Sequence, residues 1–280
     1  MKVTVGHTPD SDDAFMFYGM LEGGIPSPGF SVEHVVEDIE ALNKRAASPQ
    51  LDVTAVSVHA CAYIPGYTIL RSGGSFGLGY GPIVTAMDGT GLDGLRGAKI
   101  AIPGRMTSAF LLLQLAIGEF EYVETEFSRV PEEVRSGRAD AGLVIHETQL
   151  SYEDEGLAKV ADLGKWWDEA TGGLPVPLGV NVMRTDIGTE AIAKFDRYLH
   201  DSILYGKENE EEALQYAMRY SRGKPRDMIK EFVRMYVNER TVDMGDAGEK
   251  AINTMFEMAS QKGLLPKPFR PSIAPKLQTG

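Results

Sequence analysis

The chain has 280 residues, 43% hydrophobic and 24% charged, which excludes a disordered, collagenous or membrane-embedded polypeptide and suits one large or two ordinary globular domains. Lysine and arginine number 28 against 40 aspartates and glutamates; the net charge of −12 argues against a nucleic-acid partner and leaves any anionic ligand to local donors. A single cysteine, Cys61, excludes an internal disulfide and a cysteine-rich metal site. No long apolar stretch suggests a membrane span and the polar N-terminus does not read as a signal peptide, so a cytoplasmic, soluble protein is expected, with its oligomeric state open.

Short β-branched or apolar runs predict buried strands over residues 3–7, 53–58, 68–70, 83–86, 99–102 and 141–145. Helices are expected between them, at 12–21 behind an N-cap at Ser11 or Asp12, and at 39–47, 108–116 and 131–136. This alternation indicates an α/β fold. From about residue 185 the pattern turns helical. Ile192, Phe195, Leu199 and Ile203 recur at helical spacing, as do Ala251, Ile252, Met255, Phe256 and Ala259, and 213–220 and 228–237 also read as helices. The proline-bearing tail from Pro266 is expected to be irregular.

Segments 82–87 and 177–183, each introduced by proline and followed by polar residues, suggest two crossings between lobes. The expected organisation is a larger discontinuous lobe of residues 1–86 and 184–280 and a smaller lobe of residues 87–183. A ligand cleft is expected between them, near the carboxyl ends of the strands.

Most short motifs fail on context. Gly73-Gly74-Ser75-Phe76-Gly77 matches the G-x-S-x-G of serine hydrolases, but Gly79-Tyr80-Gly81-Pro82 follows where a helix is required, so a turn is expected. Gly77-Leu78-Gly79 lacks the third glycine and the helix of a dinucleotide loop. His146-Glu147 opens an H-E-x-x-H pattern that Leu150 ends, and the five histidines show no metal spacing, so no metal is expected. The placing of His146 is more informative. It follows the apolar run 141–145, at the carboxyl end of a predicted buried strand, where an imidazole can take a proton near neutral pH; the alternative is a strand-end histidine bonded to a loop. Glu147 either orients it or faces solvent.

Pro103-Gly104-Arg105-Met106-Thr107-Ser108-Ala109-Phe110 reads as a strand end, a glycine turn and a helix start, whose unpaired N–H groups suit a carboxylate or phosphate. Plain N-capping by Thr107 or Ser108 is the alternative. Arg105 either adds charge to such an anion or forms a surface ion pair. Asp10, Asp12 and Asp13 crowd another strand-to-helix junction, where three acids could bind a cation but complementing the helix dipole is the expected role of Asp10 and Asp12. Trp166 and Trp167 are expected to pack at the lobe junction rather than wall a ligand.

Several ordered segments point the same way: Arg71-Ser72-Gly73-Gly74, Pro103-Gly104-Arg105 with Thr107, Gly142-Leu143-Val144-Ile145-His146-Glu147, and Asp162-Leu163-Gly164 leading to Trp166-Trp167. Thr171-Gly172, Leu174-Pro175, Pro177-Leu178-Gly179 and Tyr236-Val237-Asn238 extend them. Through these segments nearly the whole chain resembles the 1,4-dihydroxy-6-naphthoate synthases of the futalosine route to menaquinone. The resemblance implies a two-lobed fold like that of type II periplasmic binding proteins, adapted to catalysis. It implies a lyase that cleaves cyclic dehypoxanthine futalosine, a small anionic aromatic substrate, to 1,4-dihydroxy-6-naphthoate without a metal or redox cofactor. It further implies His146 as the catalytic base, with substrate contacts at Ala55, Val56 and Ser57 and at Thr107, Ser108 and Ala109.

The chain departs from the family pattern at two places. Ser11, Asp12 and Ala14 stand where the first motif usually has proline, asparagine and threonine, and Ala55-Val56-Ser57-Val58 stands where members often have Lys-Leu-Ser-Tyr. Losing a lysine and gaining an acid both weaken local attraction for an anion. Two rival functions fit the same implied fold, a non-catalytic small-anion-binding protein and chorismate dehydratase. The Ile145-His146-Glu147 and Trp166-Trp167 segments favour the synthase over the dehydratase.

Overall fold

The computed structural model describes residues 1–89 and 91–277, and two mixed β-sheets organise them. The first sheet begins with β1 (Lys2–His7), which runs directly into α1 (Ser11–Leu21). β2 (Ser31–Val36) pairs parallel along one edge of β1, α2 (Ile39–Ala46) follows, and β3 (Val53–Ser57) pairs parallel along the other edge. All five β3 residues are buried, as expected for a strand covered on both faces. β4 (Tyr67–Ile69) and β5 (Ser75–Gly77) complete this stretch.

The chain then builds a second sheet. Its elements are β6 (Ile83–Ala86), β7 (Lys99–Ile102), α3 (Ser108–Ile117), β8 (Glu121–Glu124), α4 (Val130–Arg135), β9 (Ala141–Val144), β10 (Ala158–Asp162) and α5 (Leu163–Thr171). Its strand order is β10-β6-β9-β7-β8, with β7 parallel to β8 and β9. β11 (Val176–Arg184) returns to the first sheet, antiparallel to β3, β4 and β5.

The pairing corrects two boundaries of the sequence reading. Residues 83–86, expected at the end of the first lobe, belong to the second sheet, and 177–183, expected to close the second lobe, pair into the first. Each strand lies just past its crossing rather than forming it, because a strand is assigned by the ladder it joins, which proline punctuation does not reveal. Residues 90 and 278–280 of the expected lobes lie outside the described residues.

The last third is helical: α6 (Thr189–Glu208), α7 (Glu210–Ala217), α8 (Arg226–Tyr236), α9 (Glu239–Val242) and α10 (Gly245–Gln261). The apolar stripe of α6, from Ile192 to Ile203, is buried in one core with Phe15, Phe17 and Met20 of α1. Ile252, Met255 and Phe256 of α10 belong to a second core that includes Val56 and Val180 of the first sheet and Leu111 and Leu143 of the second lobe. The tail is irregular as expected, yet it clips the edge of β4: Ile69 N–H donates to Ser272 O, and Ala274 N–H to Ile69 O, both at 2.8 Å. Among the described residues no helix is long and apolar enough to cross a membrane.

Four strands had no strong sequence signal. β2 and β8 are mostly exposed edge strands and β10 is only partly buried, so none carries the apolar run of a covered strand. β5 is three residues long and lies in the glycine-rich segment. Its approach is fixed by Asp196 of α6, whose carboxylate accepts the N–H groups of Arg71 and Ser72 at 3.0 and 2.9 Å. Gly73 turns the chain at φ +77°, and a Cβ there would stand 2.6 Å from Asn181 Nδ2. Ser75 therefore opens a strand, and no nucleophile elbow exists at this position.

Candidate active site

The carboxyl ends of β1 and β3 from the first sheet and of β7 and β9 from the second contribute the segments around one cleft. It holds about 690 Å³ of unfilled space, part of it open to solvent, within the range of pockets for small ligands. Ala55, Val56 and Ser57 line it from β3, Thr107, Ser108 and Ala109 from the N-terminus of α3, and His146 from the segment after β9. The seven residues that the family resemblance implies thus share one cavity. His146 and the α3 terminus lie at the ends of neighbouring parallel strands of one sheet, and Asp10 approaches the imidazole from the other.

At α3 the side chains build the turn. Thr107 Oγ1 accepts from Phe110 N–H at 3.2 Å and donates to Gly104 O at 2.8 Å. The Ser108 hydroxyl donates to Leu178 O at 2.6 Å and accepts from His59 N–H at 3.2 Å. N-capping and anion-friendly geometry therefore coexist: the side chains are committed, while helix geometry leaves the first-turn N–H groups of Ser108 and Ala109 without intrahelical acceptors. Among the described residues the cleft lining includes no lysine or arginine, so these amides are the natural anion donors. Arg105 is exposed and pairs with Glu124 at 3.2 Å, which is the surface reading of that residue.

His59 supports this terminus from behind, donating from Nδ1 to Thr107 O at 3.3 Å. Burial pushes its pKa down to about 4, so it stays neutral near neutral pH. It does not line the cleft, and neither do the other histidines except His146. His7 is buried against Thr8 and His34, and His200 pairs with Asp201.

His146 begins a short 3₁₀ turn directly after β9 and adopts φ +54°, a left-handed conformation uncommon outside glycine. Its side chain is 17% exposed, and Nδ1 lies 3.2 Å from Asp10 Oδ2. The Phe127 ring meets the imidazole edge-on, with centroids 4.8 Å apart. Nε2 is buried, with no hydrogen-bond partner among the described residues. A carboxylate beside Nδ1 favours the tautomer with the proton on that nitrogen, which leaves the Nε2 lone pair free to accept one.

Asp10 is the residue that sequence reasoning undervalued. It occupies the N-cap position of α1 but makes no side-chain capping bond; its carboxyl turns to His146 instead. Burial pushes this carboxyl up, the His146 charge opposes that shift, and Glu147 adds to it. Arg222 reaches Asp10 Oδ1 at 3.8 Å and stacks on Phe127 with its guanidinium 4.6 Å from the ring centroid. Glu147 does not face solvent, and among the described residues its carboxylate makes no hydrogen bond to His146: it is buried and accepts from Ser11 Oγ at 2.7 Å.

Asp12, Ser75, Gln149, Asn181 and Tyr236 also line the cleft, and the Tyr236 hydroxyl meets the Gln149 side-chain amide at 3.0 Å. Asp12 lies in the first turn of α1, at the strand-to-helix junction after β1, and that was the available signal. Trp167 is fully buried in the core and donates its indole N–H to Pro175 O at 3.1 Å, so it packs rather than lines the site. Among the described residues no group of three His, Cys, Asp or Glu side chains is arranged to hold a metal ion.

Comparison with known proteins agrees with this architecture. A 1,4-dihydroxy-6-naphthoate synthase from Thermus thermophilus is 38% identical over 268 residues, 95% of this chain and 97% of the relative. A crystal structure of a protein from Archaeoglobus fulgidus superposes with a TM-score of 0.89 at 47% identity, covering 94% of this chain and 98% of that one. A Candida albicans protein described as having the generic periplasmic binding protein fold superposes with a TM-score of 0.72 at 13% identity, covering 95% of this chain and 92% of that one, which establishes the fold alone. The menaquinone biosynthesis family model matches residues 3–261, and the chain belongs to that family.

Proposed function

We propose that this chain is a 1,4-dihydroxy-6-naphthoate synthase, a lyase that cleaves cyclic dehypoxanthine futalosine with His146 as general base. One observation carries the assignment of the base: His146 lines the cleft with Nδ1 facing Asp10, and among the described residues its buried Nε2 has no hydrogen-bond partner. In this reading the substrate carboxylate sits at the amides of Ser108 and Ala109, with Ala55, Val56 and Ser57 forming the opposite wall.

Nε2 removes an acidic proton from the ring-bearing part of the substrate. The electron pair left behind drives cleavage of the carbon–carbon bond to the carbohydrate-derived fragment, and the imidazolium returns the proton to the departing group. Asp10 stabilises the imidazolium in between, as a buried carboxylate does beside a catalytic histidine. A base of this kind contributes on the order of 10²–10⁴ in rate, so positioning within the cleft must supply much of the remainder. Ser11 with Glu147, Asp10 with His146, and Lys224 with Ser151 tie the segment after β9 to the rest of the molecule, which supports a closed, water-poor site. A role in biosynthesis rather than solute uptake supports a cytoplasmic location for the reaction.

The test is incubation of purified protein with cyclic dehypoxanthine futalosine and detection of the naphthoate by mass spectrometry. Product formation is expected. Tight binding with unchanged ligand recovered would favour the non-catalytic reading, and consumption of chorismate would favour the dehydratase.

A further inference from the structure

Four carboxyl groups crowd together beside the cleft, where the carboxyl end of β1 meets the segment after β9, and two of them, Asp12 and Asp13, line it. Asp10, Asp12, Asp13 and Glu147 are each less than a tenth exposed. Three of them are committed to partners. Asp13 accepts from the N–H and the hydroxyl of Thr8 at 2.7 and 2.8 Å, Glu147 accepts from Ser11, and Asp10 faces His146 and Arg222. Asp12 lines the cleft itself, and the hydrogen bond it accepts from Ser75 Oγ is long, at 3.4 Å.

The groups that face Asp12 are nearly all acidic or neutral. Asp10 approaches from the N-cap of α1, Asp13 from its first turn, Glu147 from the segment after β9, Ser75 from β5 and Tyr236 from α8. His146 and Arg222 are drawn to Asp10, and among the described residues no cation forms an ion pair with Asp12. A charged carboxylate here would be desolvated and set among like charges. It would also repel an anionic ligand from a cleft whose described lining includes no lysine or arginine. Burial first, then Asp13, Asp10 and Glu147, hold the Asp12 carboxyl well above the usual carboxylate range, against a smaller opposing effect from a hydrogen bond given by the Asp13 N–H.

We propose that Asp12 is a substrate-contacting residue that meets the ligand as a protonated carboxyl and gives a hydrogen bond to an oxygen atom of the bound futalosine. The protonated group keeps a carbonyl acceptor for Ser75 while its O–H points outward as a donor. A four-carboxyl corner thus becomes hospitable to an anion, and specificity for an acceptor oxygen replaces charge attraction at this wall. The role rests on the naphthoate-synthase reading for the identity of its ligand.

The experiment compares the full-length chain with Asp12→Asn and Asp12→Ala, measuring KM and kcat for cyclic dehypoxanthine futalosine from acid to alkaline pH, with circular dichroism and thermal melts to confirm folding. In the unaltered chain KM rises as the carboxyl ionises. Asp12→Ala raises KM about tenfold at acid pH, the scale of one lost hydrogen bond. Asp12→Asn, whose amide donates at every pH, restores KM and removes its rise with pH. The proposal is overturned if Asp12→Asn binds as poorly as Asp12→Ala, or if the asparagine variant keeps the pH dependence of the unaltered chain. If the unaltered chain binds the futalosine without converting it, the synthase reading fails while the same comparison of dissociation constants still decides the role of Asp12; a chain that does not bind it overturns both.

Discussion

Asp10 Oδ2 lies 3.2 Å from Nδ1 of His146, so the N-cap residue of α1 on the first sheet contacts the residue that begins the turn after β9 on the second. The contact joins the two sides of the cleft through the group proposed to do the chemistry. It also explains why a residue at a helix N-terminus leaves its capping role unfilled.

Replacing Asp10 by alanine or asparagine should lower kcat by about 10²-fold while leaving KM nearly unchanged, since the carboxylate acts through the imidazole rather than on bound substrate. Steady-state kinetics with the futalosine substrate check this. An unaltered kcat in either folded variant would detach Asp10 from the base.

His146→Ala should retain ligand binding and lose turnover by roughly 10²–10⁴-fold, the usual contribution of a general base. Calorimetry for binding and product detection for turnover separate the two quantities. Near-normal turnover would remove His146 from the mechanism.

Asp12 gives a stability prediction with a definite sign. Its carboxyl is raised well above the unfolded value, so the folded state binds its proton more tightly and stability falls as pH rises from the unfolded to the folded pKa. Asp12→Asn removes this penalty. Its Tm should exceed that of the unaltered chain at neutral pH, and the gain should shrink to nothing below the ordinary carboxylate range. A gain independent of pH would contradict the assignment.

Gly73→Ala should destabilise the chain by about 1–3 kcal/mol, the cost of holding a side-chain-bearing residue in the left-handed region. The new methyl also presses on Asn181, a residue of the cleft wall, so KM should rise together with the loss in chemical denaturation. Unchanged stability would show that the turn relaxes freely.

Thr107→Ala removes the N-cap of α3 and should cost about 1 kcal/mol in denaturant titration. Thr107→Ser keeps the accepting oxygen and should restore most of that stability. Equal losses in both variants would show that the methyl group, not the cap, matters.

Much of the site was legible because strand ends and helix starts are written locally. The apolar run 141–145 followed by His146, and the glycine turn followed by Thr107 and Ser108, are strand-to-loop and strand-to-helix junctions, and such junctions host ligands in α/β proteins. Asp10 and Asp12 sit at a junction of the same kind, but acids in the first turn of a helix have an ordinary explanation in the dipole, so their pattern did not distinguish them. Glu147 was ambiguous for a related reason: nothing next to it in sequence announces Ser11. The edge strands β2 and β8 escaped notice because exposure erases the apolar alternation that marks a covered strand.

By itself, then, the amino-acid order determined the α/β alternation, the helical C-terminal third, the placing of His146 behind a buried strand and the likeness to a menaquinone-pathway family. These follow from periodicity, capping and motif, which act over a few residues. Only the tertiary structure decided that β6 joins the second sheet and β11 the first, that Asp10 meets His146, and that Asp12 stands on the cleft wall while Trp167 packs in the core. The physical reason is that sheet pairing and the meeting of distant side chains are settled by which surfaces bury each other. That is a property of the whole packed chain and of no single segment.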